Sequence, residues 1–219
     1  MATTENGLLR GLRGSVGPVV VSNGDGVSIV RIKPKKTTKA PQQSQIDQRA
    51  NFKMVSDFVT QHQKLLKIGF QAYQGAVKPL NAVSSYLLKN AIIGTSPNYE
   101  FDFTKVKLSK DGGGLLQEFY ASAAVATGSV LNITWDPKGL YNDADLIERN
   151  LDSAYVMAYD EVKGVSVQLL DGPTRDKGEL SFRMPRAFIG DKTHVYFFFV
   201  SVDGKVSNTQ YLGSVVPLT

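Results

Sequence analysis

A chain of 219 residues, 42% apolar and 21% charged, is long enough to bury a sizeable core in one large or two small domains. It contains no cysteine, which excludes disulfides, thiolate metal sites and cysteine nucleophiles and leaves the redox compartment open. All of the net charge of +5 lies in the first forty residues, where Arg10, Arg13, Arg31, Lys33, Lys35, Lys36 and Lys39 are opposed only by Glu5 and Asp25. The basic character is that of an arm on a balanced body, so its effects are local. No run approaches the length of a membrane span. The stretch Met1 to Gly7 lacks a positive region followed by an apolar one, so secretion by signal peptide is not expected. A cytoplasmic, virion-associated or signal-independently exported protein fits this reading.

The arm, residues 1–43, is rich in glycine and small residues: Gly7, Gly11, Gly14 and Gly17 punctuate Leu8, Leu9, Leu12 and Val16. Two β-branched runs follow, Pro18 with Val19, Val20 and Val21, then Val27 to Ile32 with Ile29 between. They flank Asn23-Gly24-Asp25-Gly26, turn chemistry that predicts a β-hairpin. So short a hairpin has no core of its own and needs a cover. Pro34 to Pro41 reads as an extended, solvated linker.

Residues 44–96 read as a helical pair. Ser44 followed by Asp47 resembles a capping box, and Ile46, Ala50, Met54, Val55, Phe58, Val59, His62, Leu65 and Leu66 recur at helical spacing toward Gly69, giving one helix of roughly six turns. A second helix begins after Pro79, carries Leu80, Val83, Leu87 and Ala91 on one stripe, and stops at Gly94. The pair is too small to stand alone and should pack on a sheet.

From residue 97 the period changes to two. Candidate strands are Phe101–Leu108, Leu115–Ala124, Val130–Trp135, Ala154–Tyr159, Val165–Leu170, Glu179–Met184, His194–Val202 and Val206–Leu212, separated by turn residues; such spacing argues a β-sandwich. His194 to Val200 is apolar enough for a central strand buried on both faces, with Asp203-Gly204 closing a tight hairpin after it. The fold class expected is α+β, mainly β: an N-terminal β-hairpin arm, a two-helix segment and a C-terminal immunoglobulin-like β-sandwich over 97–219.

The order of these signals resembles the fibronectin type III variety of the immunoglobulin-like class: Trp135 closing an early strand, Tyr155 and Tyr159 in the next, and Tyr211 in a late one. Over nearly its full length the chain is also similar to a family of uncharacterised bacterial proteins, in Gly14 to Val20, Val30 to Lys36, Gln45 to Phe52 and His194 through Gly213. That resemblance implies architecture and carries no activity or catalytic residues.

Chemistry-bearing groups are sparse. The two histidines, His62 and His194, lie in no recognisable catalytic motif and are read as packing or surface residues; Gly-x-Ser-x-Gly is absent. Asp143, Asp145 and Glu148 are a calcium candidate, but no twelve-residue loop of the required pattern surrounds them, and Asp143 reads as a helix cap. Gly112-Gly113-Gly114 lacks the Gly-Lys-Ser/Thr of a phosphate loop and reads as a turn. Gly11-Leu12-Arg13-Gly14 has the form of a KH-domain clamp without the flanking helices. No catalytic, metal or cofactor residue is assigned.

The arm supports two readings. In the first it serves assembly with other copies of the chain: Leu8, Leu9, Leu12 and Val16 act as anchors, and Val19, Val20, Val21, Val27, Ile29 and Ile32 as strand donors to a sheet edge of a neighbour. A head-to-tail contact of that kind grows a filament. In the second, Arg31, Lys33, Lys35, Lys36 and Lys39 contact a polyanion such as nucleic acid, which is less favoured because the arm has no aromatic residue for base stacking. A phage-derived virion component and a surface ligand-binding module using Tyr99, Tyr120, Tyr141 or Tyr155 are the remaining alternatives. The expectation is a non-enzymatic, self-assembling structural protein.

Overall fold

A computed structural model of the chain describes residues 2–4, 13–24, 27–35, 38–73, 77–110, 120–138 and 149–218. The chain divides into two compact units, Met1–Gln42 and Gln43–Thr219.

In the first unit, β3 (Val19–Gly24) and β4 (Val27–Ile32) form the hairpin that the turn residues predict. Their ladder runs from Val19 opposite Ile32 to Gly24 opposite Val27, leaving the two residues Asp25-Gly26 between the strands. The hairpin is the centre of a larger sheet: β1 (Ala2–Thr4) pairs with β4 and β2 (Gly14–Val16) with β3, all antiparallel, in the order β1-β4-β3-β2. Strands of three residues show no periodicity in a sequence, which is why these two were not foreseen. Among the residues of this unit whose burial is described, Val21 and Ser28 are the buried ones.

The second unit is α+β. Its predicted long helix is interrupted: α1 spans Gln43–Gln61 and α2 spans Gln63–Gly69. At His62 the ring Nδ1 donates to the Phe58 carbonyl at 2.7 Å, competing with the backbone bond to the same oxygen, and such local competition loosens a helix. Helix α1 starts at Gln43, ahead of Ser44, so the capping box is not formed. Asp47 instead accepts from Gln43 Nε2 at 2.8 Å and from Ser96 Oγ at 2.7 Å.

Helix α3 (Pro79–Asn90) has Pro79 in its first turn, where proline's missing N–H costs nothing. It stops before Gly94, because β5 (Ile92–Thr95) turns back through Ser96-Pro97 to pair with β6 (Asn98–Phe101). The strand expected over Phe101–Leu108 is not there. Asp102 accepts from the Thr104 N–H at 3.1 Å and caps a 3-10 turn over Phe103–Lys105. The segment that follows is irregular and drops Val106 and Leu108 into the core.

Seven further strands are found among the described residues of the unit. A three-stranded sheet, in the order β11-β8-β7, is built from β7 (Ser122–Ala126), β8 (Val130–Thr134) and β11 (Glu179–Arg183). A four-stranded sheet, in the order β10-β9-β12-β13, comprises β9 (Ser153–Asp160), β10 (Val165–Leu169), β12 (Thr193–Val200) and β13 (Gln210–Val215). Every pairing in both is antiparallel. The last hairpin is less tight than expected. After the turn at Ser201–Lys205, Val206 makes a single bridge to Val200 and the Ser207 hydroxyl accepts the Phe199 N–H at 2.8 Å, so regular pairing resumes only at Gln210.

The two central strands are buried on both faces. Tyr155, Met157 and Tyr159 of β9 and Tyr196 and Phe198 of β12 pack with Val55, Phe58, Leu65, Leu66, Phe70, Val83 and Leu87 from the helices. The alternate residues, Ala154, Val156 and Ala158 with Val195, Phe197 and Phe199, pack with Leu131, Ile133, Trp135 and Leu180 from the three-stranded sheet. The layers are helices, four-stranded sheet and three-stranded sheet.

Where α2 ends, a Cβ on Gly69 would lie 1.9 Å from the Leu108 carbonyl oxygen, and the Gly69 carbonyl accepts the Lys110 N–H at 3.0 Å. Gly69→Ala must push these backbones apart. It is expected to destabilise the unit by about 1–3 kcal/mol, read as a lower midpoint in urea unfolding, and an unchanged midpoint would contradict this packing.

Candidate functional site

Val19, Val20, Val21, Val27, Ile29 and Ile32 sit on the two inner strands of the first unit's sheet, which use both ladders internally. Among the described residues the outer strands of that sheet are β1 and β2. On β2, Val16 is 61% exposed, and Ile32 at the end of β4 is 80% exposed. Arg31, Lys33 and Lys35 are exposed beside them, and the Lys33 N–H donates to the Pro18 carbonyl at 2.7 Å, so the basic segment leaves the sheet next to the β2–β3 turn. Lys39 is exposed further along. Leu8, Leu9, Leu12 and Lys36 lie outside the described residues, as do Gly112-Gly113-Gly114, Asp143, Asp145, Glu148 and Tyr141.

On the second unit, a groove of ≈ 520 Å³ opens between α1, β6 and the β9–β10 turn. Its floor is aromatic. Phe58 lies 5.2 Å from Phe101 and 5.7 Å from Tyr159, and Phe103 lies 5.4 Å from Tyr159, between ring centroids. Three carboxylates, Asp57, Glu100 and Glu161, line it together with Gly164, and among the described residues no lysine, arginine or histidine does. The β9–β10 turn owes its shape to Asp160, whose Oδ1 accepts the N–H groups of Val162 and Lys163 at 2.9 and 3.0 Å. Asp57 pairs with Lys53 at 3.3 Å, and Glu161 with Lys192 at 3.1 Å.

Both histidines are built into the walls behind this groove. The buried His62 ring donates to the Phe58 carbonyl, so its Nε2 accepts the Ser166 hydroxyl at 2.9 Å, tying α1 to β10. His194 stacks on Phe103 at 4.1 Å between ring centroids. Its Nε2 donates to Glu161 at 3.0 Å, which makes Nδ1 the acceptor for the Tyr211 hydroxyl at 2.8 Å. Burial lowers the pKa of both rings, keeping them neutral. The hydrogen bond from His194, helped by Lys192, holds Glu161 below the usual carboxylate range. Burial raises the Tyr159 hydroxyl, and the neighbouring Asp160 and Glu161 add to the shift.

A further polar feature gave no signal in the sequence. Asp152 and Arg175 form an ion pair at 3.1 Å with both side chains fully buried. Of the tyrosines considered for a ligand surface, Tyr120 is exposed, Tyr155 is buried in the core and Tyr99 is half-buried. Among the described residues no group of three or more His, Asp or Glu is placed to hold a metal ion. No helix among them is long and apolar enough to cross a membrane.

Fold and surface together define an α+β protein whose central antiparallel sheet lies between helices and a second sheet, preceded by a basic, strand-forming unit. The chain belongs to a family of unknown function, DUF6266, whose pattern matches residues 11–213 and so takes in most of the arm as well as the body. No curated protein matches it.

Proposed function

We propose that the protein is a non-enzymatic structural component that self-assembles through its N-terminal unit, the arm of one copy adding a strand to an open sheet edge of the next. The observation that carries this reading is the first unit itself: a four-stranded sheet in which, among the residues whose burial is described, only Val21 and Ser28 are buried, with Val16 and Ile32 left in solvent. Such a sheet gains stability only when a partner covers it. The body is read as an immunoglobulin-like sandwich of the fibronectin type III kind. The three- and four-stranded sheet orders and the position of Trp135 in their shared core support that.

The acceptor edge we favour is β10. Among the described residues it pairs only with β9, and from Gly164 to Leu170 it carries no charge and no proline. Sheet edges that avoid association usually carry one of those devices. Because donor and acceptor are different surfaces, the contact is head to tail and extends into a filament or other homopolymer.

Sedimentation of the full-length protein against a chain beginning at Gln43 tests this. The shortened chain should remain a folded monomer, while the full-length protein should grow into larger species at micromolar concentration. Identical monomeric behaviour overturns the reading. The exposed Arg31, Lys33 and Lys35 support nucleic-acid binding as a second reading. It requires binding at low salt that falls steeply toward physiological salt and disappears when these residues and Lys36 and Lys39 are neutralised.

A further inference from the structure

We propose that the aromatic groove between α1, β6 and the β9–β10 turn is the acceptor for the basic segment Lys33–Lys39 of a second copy. This rests on the assembly reading and names the place on the body where the arm's charge is received.

The occupant follows from the lining. Carboxylates at the rim and ring faces at the floor are the two groups that attract an ammonium or guanidinium ion together, the one by charge and the other through the ring quadrupole. Asp57, Glu100 and Glu161 supply the first, and the half-buried Phe101 and Phe103 the second, above the buried Phe58 and Tyr159. Glu161 is spoken for by Lys192 and His194 and Asp57 by Lys53, whereas Glu100 is exposed with no ion-pair partner among the described residues. The chain's net charge of +5 lies within its first forty residues, so the arm of a second copy carries a complementary segment.

The geometry of strand addition brings the two together. Gly164, which lines the groove, directly precedes β10. If β2 adds antiparallel to β10, as every pairing in both sheets already runs, its Val16 end lies against the Val165 end. That is the end at which Lys33 is held beside Pro18. With β2 added to β10, strand β4 lies three strands from β10, a separation of about 14 Å that the segment Lys33–Lys39 is long enough to cross.

The test is sedimentation velocity on the full-length protein at low and physiological salt with four variants. Glu100→Lys alone, and Lys33→Glu with Lys35→Glu, should each weaken self-association about tenfold; the two combined should restore it. Glu100 is exposed, so loss of folding is not expected, and circular dichroism checks this. Glu100→Gln provides a milder change in the same direction. Self-association that persists unchanged in Glu100→Lys and Glu100→Gln, or a charge swap that restores nothing, overturns the groove as acceptor while the assembly reading stands. A wild-type chain that stays monomeric throughout overturns the assembly reading and the second-copy occupant with it.

Discussion

Replacing Asp152 with alanine is expected to destabilise the Gln43–Thr219 unit by about 3–5 kcal/mol at neutral pH, because it strips a buried guanidinium of its countercharge. Arg175 is fixed in place by its surroundings. Its N–H donates to the Asp152 carbonyl at 2.9 Å, its own carbonyl accepts Trp135 Nε1 at 2.7 Å, and its guanidinium lies 4.5 Å from the Phe199 ring centroid. The side chain cannot swing to water without undoing the core around it, and arginine does not shed its proton. Arg175→Met should cost less, since the stranded carboxyl can take up a proton and the methionine fills apolar space. The double variant should recover much of the loss seen in Asp152→Ala. Urea unfolding of the four proteins as a double-mutant cycle reads this directly; a cycle with no coupling would show that the pair is inert.

The same carboxyl sets a pH dependence. Burial pushes Asp152 up to about 6 from an ordinary 3.8, against the opposing pull of Arg175. A group whose pKa is raised by folding holds its proton longer in the native state, so its contribution is complete below about pH 4 and is lost as pH rises through about 6. The loss is on the order of 3 kcal/mol. The buried histidines titrate with the opposite sign, so the informative quantity is the difference between wild type and Asp152→Asn, which should diminish from pH 4 to 6 in favour of the variant and then level off. A flat difference across that window would exclude a raised carboxyl.

The second large effect is expected on β12. Phe197→Ala and Phe198→Ala should each cost about 3–5 kcal/mol, although the residues are adjacent in sequence. Phe197 lies 5.3 Å from Trp135 and 4.8 Å from Phe199 on the three-stranded-sheet side, whereas Phe198 stacks on Tyr155 at 5.4 Å on the helix side. Hydrogen exchange should therefore separate them. Loss of Phe198 should speed exchange first in α1 to α3, and loss of Phe197 first in β7, β8 and β11. If either substitution costs less than about 1 kcal/mol, that face of the strand is not packed as described.

The apolar run of β12 made its two-sided burial legible from residue types alone, and the turn chemistry at Asn23 to Gly26 located the arm's hairpin. Both are local signals. The helix break at His62 was not legible, because it depends on a ring that bonds its own preceding turn and reaches Ser166 far along the chain. Nor was the 3-10 turn after Asp102, where one side-chain oxygen took the place of a strand ladder and left the apolar alternation intact. The groove was invisible for a similar reason. Asp57, Glu100 and Glu161 are unremarkable surface acids in their own segments and meet only when α1, β6 and the β9–β10 turn pack together.

The sequence by itself determined where the charge lies, that the first forty residues cannot build a core, and that helices precede a set of antiparallel strands, since each follows from composition or period. Only the tertiary structure decided which elements cover the two faces of β9 and β12, that Asp152 and Arg175 are sealed together, and which carboxylates surround an aromatic floor. These depend on contacts between residues distant in the chain, which are set by packing and leave no trace in local pattern.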